Sequence, residues 1–446
     1  MHSTCNHYTT QRRLANLALA LLLTCVTCCG SAIARERLSL PMPRTAINGA
    51  IHYQRAILFL SAVDPEKRAV LQKPIWEIVT PNTSKEELAE LNELLIESRH
   101  AIRSALVGAN QSVADFGLDI RQYMVSALLP HNQSMVDMAK LVTLHGMHRE
   151  SEGRWKEAAE IYFATLRMGR HMTHQTTLAE AFAGVEMLET AYFALGYWAA
   201  DCPDKQLVED AFDMLAASAH DLVQPTRTLQ SEANIIKMRL ETLEGAFPDG
   251  PWAEMVLEAF KADIPMAGPA ELRKAAIKVA VEHGVPKGAF KNKEAFLEYM
   301  DGKLSVYLDM ANESALCLTH ASPDSILCGE AVTKKYQDEL IETQNTSVWK
   351  PASIASLFVV HEAELAIMRT CMAVSAAQSA DGYPASLDAV AGKFGGQLPT
   401  SPYDGSALDY EVLEDGKGFS ISVSAVKVGS VELPAINFVH VPRESK

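Results

Sequence analysis

The sequence lacks the short motifs by which many nucleotide-binding and hydrolytic enzymes are identified. It contains no Gly-x-Ser-x-Gly elbow, no P-loop and no dinucleotide-binding fingerprint. The segment His361-Glu362-Ala-Glu364 lacks the second histidine of a His-Glu-x-x-His zinc motif. These absences count against a standard hydrolase or a nucleotide-dependent enzyme. A helical hydrolase or lyase with scattered Glu and His residues remains an alternative.

Aromatic residues and strand-like patterns are also scarce. Aromatic side chains make up 7% of the chain, and no alternating apolar pattern precedes about residue 407. Frequent Ala, Leu, Glu and Met favour helices instead. We therefore predict a mostly α protein with a multi-helix, partly repeat-like body over residues 35–349 and a candidate sub-boundary near 201–250. Residues 350–446 are predicted to form a long helix and a small α+β module of two or three antiparallel strands.

Basic side chains are fewer than acidic ones. The chain has 40 Lys and Arg residues against 55 Asp and Glu residues, a formal net charge of −15. An acidic protein of this kind does not bind nucleic acid or an anionic membrane surface non-specifically. We therefore predict no nucleic-acid partner, and no membrane contact except through the N-terminal segment.

The N-terminal segment has the pattern of an export signal. Arg12 and Arg13 precede an uncharged apolar run from Leu14 to Cys29, and Ala32-Ile33-Ala34 is typical of a cleavage site. We predict a signal peptide over residues 1–34, cleaved after Ala34, and a periplasmic or secreted protein. An uncleaved membrane anchor is the alternative, because the uncharged run nearly suffices to span a bilayer.

Few cysteines remain outside that segment. Four of the eight cysteines precede residue 35, which leaves Cys202, Cys317, Cys328 and Cys371. Exported proteins can form disulfides, and Cys317 and Cys328 flank a short, turn-rich segment. We predict that these two cysteines pair. The pairing of Cys202 and Cys371 is left open.

Several helices can be placed by their periodicity and their end signals. A capping box, Ser84-Lys-Glu-Glu87, is expected to open a helix that continues to about Leu106. Another helix is expected over Asp115–Leu129. The segment Thr176–Ala200 is apolar almost all round and should be a central, buried helix. The long helix before the strands is predicted from Ser353 to about Ala380.

One segment resembles half of a tetratricopeptide repeat. Residues 153–166 carry Trp155 and Tyr162 among small residues, and Gly146 precedes them where the first helix of such a repeat has its glycine. This resemblance implies a protein-binding helical hairpin with Trp155 and Tyr162 as interaction residues. An ordinary helical hairpin is the alternative, since no second repeat unit is clear.

The tail carries a second resemblance. Gly382-Tyr383-Pro384, Pro402-Tyr403-Asp404-Gly405, Leu408-Asp-Tyr410 and Gly418-Phe419-Ser420 occur in this order after an Ala-rich helix. The region resembles the C-terminal module of uncharacterised exported helical proteins of planctomycete type. That module is in turn similar to the end of type II secretion pseudopilins. The resemblance implies a fold and an exported location, but no activity.

The tail also departs from that pattern. Ser401 stands where the group usually has Asp, and Val426–Pro434 replaces the acidic, Gly-rich end that holds calcium in some pseudopilins. The prepilin processing signal is absent from the N-terminus. We therefore expect neither a calcium site nor a pilus subunit.

Histidine pairs and glutamates are the candidates for chemistry. His145 with His148, and His171 with His174, are spaced so that each pair lies about one helical turn apart and could share a metal. Neither pair has an Asp or Glu at a sequence spacing that is diagnostic of a metal site, so histidines at the edge of the core are the simpler interpretation. Glu186 and Glu189 lie on the most apolar helix, where burial would raise their pKa and suit acid–base catalysis, with His145 as a further candidate. No cofactor is predicted.

The sequence leads to one functional hypothesis and two alternatives. The preferred one is a non-catalytic, exported envelope protein that binds another envelope protein through its helical body. The first alternative is the helical hydrolase or lyase. The second is a pseudopilin-like component of a secretion or surface assembly.

Overall fold

A computed structural model describes residues 48–441 except 80–84, 118–128, 232, 235–252, 254–267, 283–284, 342–349, 381 and 414–415. Helices make up about 70% of the protein, and a small antiparallel sheet follows them. The predicted fold class is thereby confirmed. None of the helices in these ranges is long and apolar enough to cross a membrane. The predicted signal peptide lies outside the described residues.

The described residues of the first half of the body form helices joined by short turns. A helix of 13 residues comes first, two helices of four residues each follow it, and the remaining helices come after them. The bounds are α1 Gly49–Ser61, α2 Pro65–Arg68, α3 Ile75–Ile78, α4 Lys85–Glu97, α5 Arg99–Ala109, α6 Pro130–Ser151, α7 Trp155–Thr173, α8 Leu178–Asp201 and α9 Lys205–Ser218, with 3₁₀ turns at Ala69–Gln72 and Ala219–Asp221.

The helix α8 is central, as the sequence predicts. A capping box begins it: the Thr177 side chain accepts from the Glu180 backbone N–H, and the Glu180 carboxylate accepts from the Thr177 backbone N–H. Buried residues occupy nearly every face of this helix, including Leu188, Leu195 and Trp198. The small side chains along it let several helices approach, so α8 packs against α6, α7 and the long C-terminal helix at once.

The described residues of the second half form four longer helices and two small sheets. The helices are α10 Pro269–Glu282, α11 Lys293–Cys317, α12 Pro323–Ile341 and α13 Pro351–Ala376, with 3₁₀ turns at Lys287–Phe290 and Leu387–Phe394. The strands are β1 Asp409–Val412, β2 Phe419–Val423, β3 Val426–Val428, β4 Val431–Leu433 and β5 Ile436–His440. One sheet has the order β1-β2-β5, and β3 pairs with β4 in a separate hairpin.

The C-terminal module shares its core with the body. The inner face of β2, with Phe419 and Ile421, belongs to the same buried cluster as Leu195 of α8 and Phe358 of α13. The Tyr383 hydroxyl donates to the Ala200 carbonyl at 3.2 Å, which ties the loop after α13 to the end of α8. The C-terminal module and part of the helical body therefore share one buried cluster.

The predicted disulfide is confirmed. Cys317 and Cys328 are bonded, with their Cα atoms 5.6 Å apart. They join the end of α11 to the second turn of α12, so the segment between them is partly helical and not wholly a loop. Cys202 and Cys371 are free and buried.

The structure corrects several predicted element bounds. The helix predicted to run to Leu106 breaks at Ser98, where α4 ends and α5 begins. Residues 115–117 are not helical, contrary to the prediction, and the rest of that predicted helix and Ser84 lie outside the described residues. The long helix ends at Ala376, before Gly382. The hairpin β3–β4 was not predicted, because strands of three residues are too short to show a clear alternation.

Candidate functional sites

The two histidines of each pair have different surroundings. The His148 imidazole lies 3.5 Å from Glu152 on the surface, whereas His145 lines a groove between helices. The second pair also divides, because His171 contacts the Tyr53 hydroxyl at 2.7 Å and His174 contacts the Asp221 carbonyl at 2.8 Å. Among the residues that the structure describes, no group of three or more His, Cys, Asp or Glu side chains is arranged to hold a metal ion.

The tetratricopeptide-like segment forms a helical hairpin of α6 and α7. Its two helices approach closely at Gly146, where an added Cβ would lie 2.4 Å from a ring carbon of Tyr162. Tyr162 is fully buried and its hydroxyl donates to Glu150 at 2.8 Å. Trp155 is half-buried, and its carbonyl accepts from the Trp198 indole N–H at 3.0 Å. Tyr162 is therefore a packing residue and not an exposed contact for a partner, which corrects the interaction role that its resemblance implies.

A groove with positively charged walls lies between α4, α5 and α6. We call it the basic groove. Its floor is apolar and its polar lining is cationic or neutral, without a carboxylate. The lining residues are Leu95, Arg99, Ile102, Arg103, Leu106, Val107, Asn110, His145 and Arg149, and the enclosed volume is about 340 Å³.

The arginines of the basic groove differ in their partners. The Arg149 guanidinium pairs with Glu152 at 2.8 Å, and Arg99 donates to the Ile96 carbonyl at 3.3 Å. Arg103 forms no ion pair with any described residue. Burial first, and the nearby Arg149 second, lower the pKa of His145 to about 4, so this imidazole is neutral at pH 7. The groove thus presents an uncompensated positive charge beside an apolar floor.

Exposed apolar side chains accumulate around this groove. Val107 in the groove is 39% exposed, and Ile96 next to it is 63% exposed. On the neighbouring helix α1, Leu58 and Phe59 are 69% and 36% exposed, and the Phe59 ring lies 5.6 Å from His100 of α5. An exposed apolar surface with a charged rim is typical of an interaction surface.

A second cavity, which we call the acidic cleft, lies between α3, α6, α8 and α13. Its volume is also about 340 Å³, and it is lined by Pro74, Ile75, Trp76, Lys140, Phe182, Val185, Glu186, Glu189, Thr190 and Leu357. The predicted candidates Glu186 and Glu189 therefore do lie together, but His145 is in the other cavity. Lys140 is buried, donates to the Leu71 carbonyl at 3.2 Å and pairs with Glu186 at 3.2 Å.

Glu189 faces a second glutamate from the C-terminal half of the chain. Burial raises the pKa of Glu189 to about 7, and the neighbouring Glu186 adds to this rise. Burial and the negative charge of Glu189 together raise the pKa of Glu364, on α13, to about 9. We call Glu189 and Glu364 the carboxyl pair. Two carboxyls so placed hold at least one proton at pH 7, because a second negative charge is unfavourable there.

Polar atoms without partners surround the carboxyl pair. The hydroxyls of Tyr192 and Tyr403, 3% and 1% exposed, make no hydrogen bond with the described residues. The same is true of Glu364 Oε2 and of His361 Nδ1. The charge of Glu364 contributes to a raised pKa of both tyrosines, so these hydroxyls lie near its carboxyl group. Buried polar atoms without partners are uncommon in proteins and mark a place where a ligand or water is expected.

Glu180 has a different role from the other glutamates of α8. Its side chain is fully buried, caps the helix and contacts His131 at 3.0 Å. The capping role of Glu180 can be predicted from the Thr177-x-x-Glu180 spacing. Sequence analysis does not identify Glu364 as a candidate, because it lies in the segment that is interpreted only as an incomplete zinc motif. The signal that could have identified it is its position three residues after His361 on an apolar helix.

Comparison of the chain with known proteins finds no matching family model, no matching curated protein and no matching solved structure. The two resemblances described from the sequence therefore stay predictions. What the two cavities can bind has to be argued from their geometry and charge.

Proposed function

We propose that the protein is an exported envelope protein that binds another protein through the basic groove of its helical body. The single observation that carries this proposal is the combination of an apolar floor with Arg103, a cation that no described residue neutralises. The export signal supports the location.

The partner segment that fits the groove is an acidic amphipathic helix. Its apolar face would cover Leu106 and Val107, and its carboxylates would meet Arg99, Arg103 and Arg149. Helix-in-groove binding of this kind uses apolar anchors one turn apart, and charge complementarity directs the encounter. The rest of the chain is acidic, so such a segment is repelled elsewhere on the surface.

Site-specific photocrosslinking tests this proposal. A photoreactive residue at Val107 should crosslink one recurrent envelope protein, and Arg103→Glu should abolish that product. The matched controls are a photoreactive residue at Leu316, which is 72% exposed and distant in sequence, and Arg227→Glu, which makes the same charge change at another exposed arginine. A synthetic acidic amphipathic peptide should compete for the Val107 product, whereas its charge-reversed version should not.

Two results contradict the proposal. Equal crosslinking from Val107 and Leu316 would show that the groove is not the binding surface. If the crosslinked product from Val107 still forms in the Arg103→Glu variant, and if the acidic peptide does not reduce its yield, charge complementarity is not the basis of binding.

Acid–base catalysis is a second candidate, favoured by the carboxyl pair beside the acidic cleft. In a hydrolase or lyase, protonated Glu364 would donate a proton and ionised Glu189 would accept one. A screen of glycoside and ester substrates in which wild-type protein is active and Glu189→Gln is inactive would support it. Equal activity of the two proteins would exclude Glu189 from catalysis.

The pseudopilin-like alternative requires a tail that is free to dock. The inner face of the tail's sheet is packed on the body. The Phe438 ring lies so close to Gly196 of α8 that a Cβ added at Gly196 would be 2.7 Å from a ring carbon of Phe438. Only the outer face of the sheet is left for docking. This alternative is therefore the least supported by the geometry.

A further inference from the structure

The acidic cleft combines an aromatic wall with a carboxylate that has no partner. Trp76 is 50% exposed at its edge, and Phe182 is half-buried in its wall. Glu189 forms neither a hydrogen bond nor an ion pair with the described residues, whereas the adjacent Glu186 is paired with Lys140. The uncompensated charge of the cleft is therefore negative and is concentrated at Glu189.

Buried polar atoms without partners lie behind Glu189. Glu364 Oε2 and the Tyr192 hydroxyl make no hydrogen bond with the described residues. An alkylammonium group carries a positive charge and three N–H donors, which match the unpaired carboxylate of Glu189. Aromatic rings beside a carboxylate are a common means of binding such cations.

We propose that the acidic cleft is a binding site for a small organic cation, a primary amine with an apolar tail. The ammonium group would contact Glu189, and the tail would lie along Trp76 and Phe182. The cleft volume of about 340 Å³ is at the small end of the usual range for ligand pockets. This site is separate from the basic groove, and the proposal does not depend on protein binding there.

Binding is expected to be linked to proton release. The raised pKa of Glu189 means that part of the protein carries a proton at this position at pH 7. A cation favours the ionised carboxylate, so affinity should rise from pH 6 to pH 8 as the proton is lost. The elements packed around Glu189 carry the titratable groups Glu186 and Tyr192 on α8, Lys140 and Asp137 on α6, and His361, Glu362 and Glu364 on α13, with Tyr403 near Glu364. Of these, Glu186, Tyr192 and Glu364 interact electrostatically with Glu189.

Isothermal titration calorimetry with benzylammonium as the probe tests the proposal. Wild-type protein should bind benzylammonium more tightly at pH 8 than at pH 6 and should bind the neutral isostere benzyl alcohol at least tenfold more weakly, about the effect of one charge-assisted contact. Glu189→Gln should weaken benzylammonium binding by about tenfold and remove its pH dependence. The matched control is Glu160→Gln, the same change at an exposed glutamate of α7, which should bind as wild type does.

Repeating the titration in two buffers of different ionisation enthalpy measures the protons released. Equal binding of the amine and the alcohol, equal binding by Glu189→Gln, or no binding by wild type at either pH would each overturn the proposal. Should Glu189→Gln fail to fold, Trp76→Leu replaces it as the variant, because this half-exposed side chain is not part of the core. It should then weaken amine binding severalfold, and unchanged affinity would count equally against the proposal.

Discussion

The close approach of α6 and α7 at Gly146 allows a test in which one substitution has opposite effects at two positions. Gly146 and Gly302 both lie within helices, but their surroundings differ. An added Cβ at Gly146 would lie 2.4 Å from the Tyr162 ring, whereas at Gly302 it would meet nothing within 4 Å. Gly→Ala at both positions gains the same helix propensity, about 1 kcal/mol, so the difference between the variants isolates the cost of the contact.

The Tyr162 ring has little freedom to withdraw. It is fully buried, and its hydroxyl is held by Glu150 at 2.8 Å. Inserting a methyl group into a packed interior costs about 1–3 kcal/mol because neighbours are forced from their preferred rotamers. Gly302→Ala should therefore stabilise the protein by up to about 1 kcal/mol. Gly146→Ala should destabilise it by up to about 2 kcal/mol after the propensity gain is subtracted.

Urea unfolding followed by far-UV circular dichroism measures both variants against wild type. The expected difference between the two unfolding free energies is about 1–3 kcal/mol, with Gly146→Ala the less stable. If Gly146→Ala is as stable as Gly302→Ala, the close packing of this hairpin is not the constraint that we describe.

Three further predictions concern the cysteines and the carboxyl pair. Reducing the Cys317–Cys328 disulfide should lower the unfolding free energy by roughly 2–3 kcal/mol, seen as a lower melting temperature with dithiothreitol than without. Cys202 and Cys371 are buried, and burial raises the pKa of both thiols, so protein without residues 1–34 should react with Ellman's reagent only after it is unfolded. The carboxyl pair keeps its protons to higher pH in the folded protein than in the unfolded chain, so its contribution to stability should fall as the pH rises from about 7.5 to about 8.5. Glu364→Gln should flatten this pH dependence in thermal melts, and an unchanged slope would show that the pair does not hold the extra protons.

The pH window in the last of these predictions is chosen to separate two opposing effects. Burial lowers the pKa of His361 and of His171 to about 4, so each imidazole is neutral in the folded protein and binds a proton only when the chain unfolds. That effect lowers stability as the pH falls below about 6.5, the ordinary histidine value. Above about pH 7.5 nearly all of the histidines are neutral in both states, because their ordinary pKa is about 6.5, and the change in stability there reports the carboxyl pair.

Local patterns were sufficient to predict most of the helices and the principal strands. The helix α8 is predictable because it is apolar on every face, and β2 because Phe419, Ile421 and Val423 alternate with serines. The break at Ser98 was missed because apolar residues continue at helical spacing on both sides of it. Ser98 is 1% exposed and lies between the two helices, where tertiary packing overrides the local helical periodicity.

The acidic cleft was only half predictable. Glu186 and Glu189 are conspicuous because they interrupt an apolar helix, and their position there indicates burial. Glu364 and Tyr403 come from segments more than 170 residues away along the chain, and only packing brings them to α8. The basic groove was not predictable for the same reason: its arginines belong to two helices, and each is unremarkable as a surface residue in the sequence.

The helix α6 separates the two cavities and explains how one acidic chain keeps opposite charges apart. Lys140 faces the acidic cleft and His145 faces the basic groove. Over five residues an α-helix turns through roughly 500°, which is one full turn plus roughly 140°. The two side chains therefore point roughly 140° apart around the helix axis. Lys140 is neutralised by Glu186, so the cleft stays negative, while the groove on the other side contains no carboxylate. An acidic partner is therefore repelled by the cleft side of the helix and attracted only on the groove side, which gives specificity through exclusion as well as attraction.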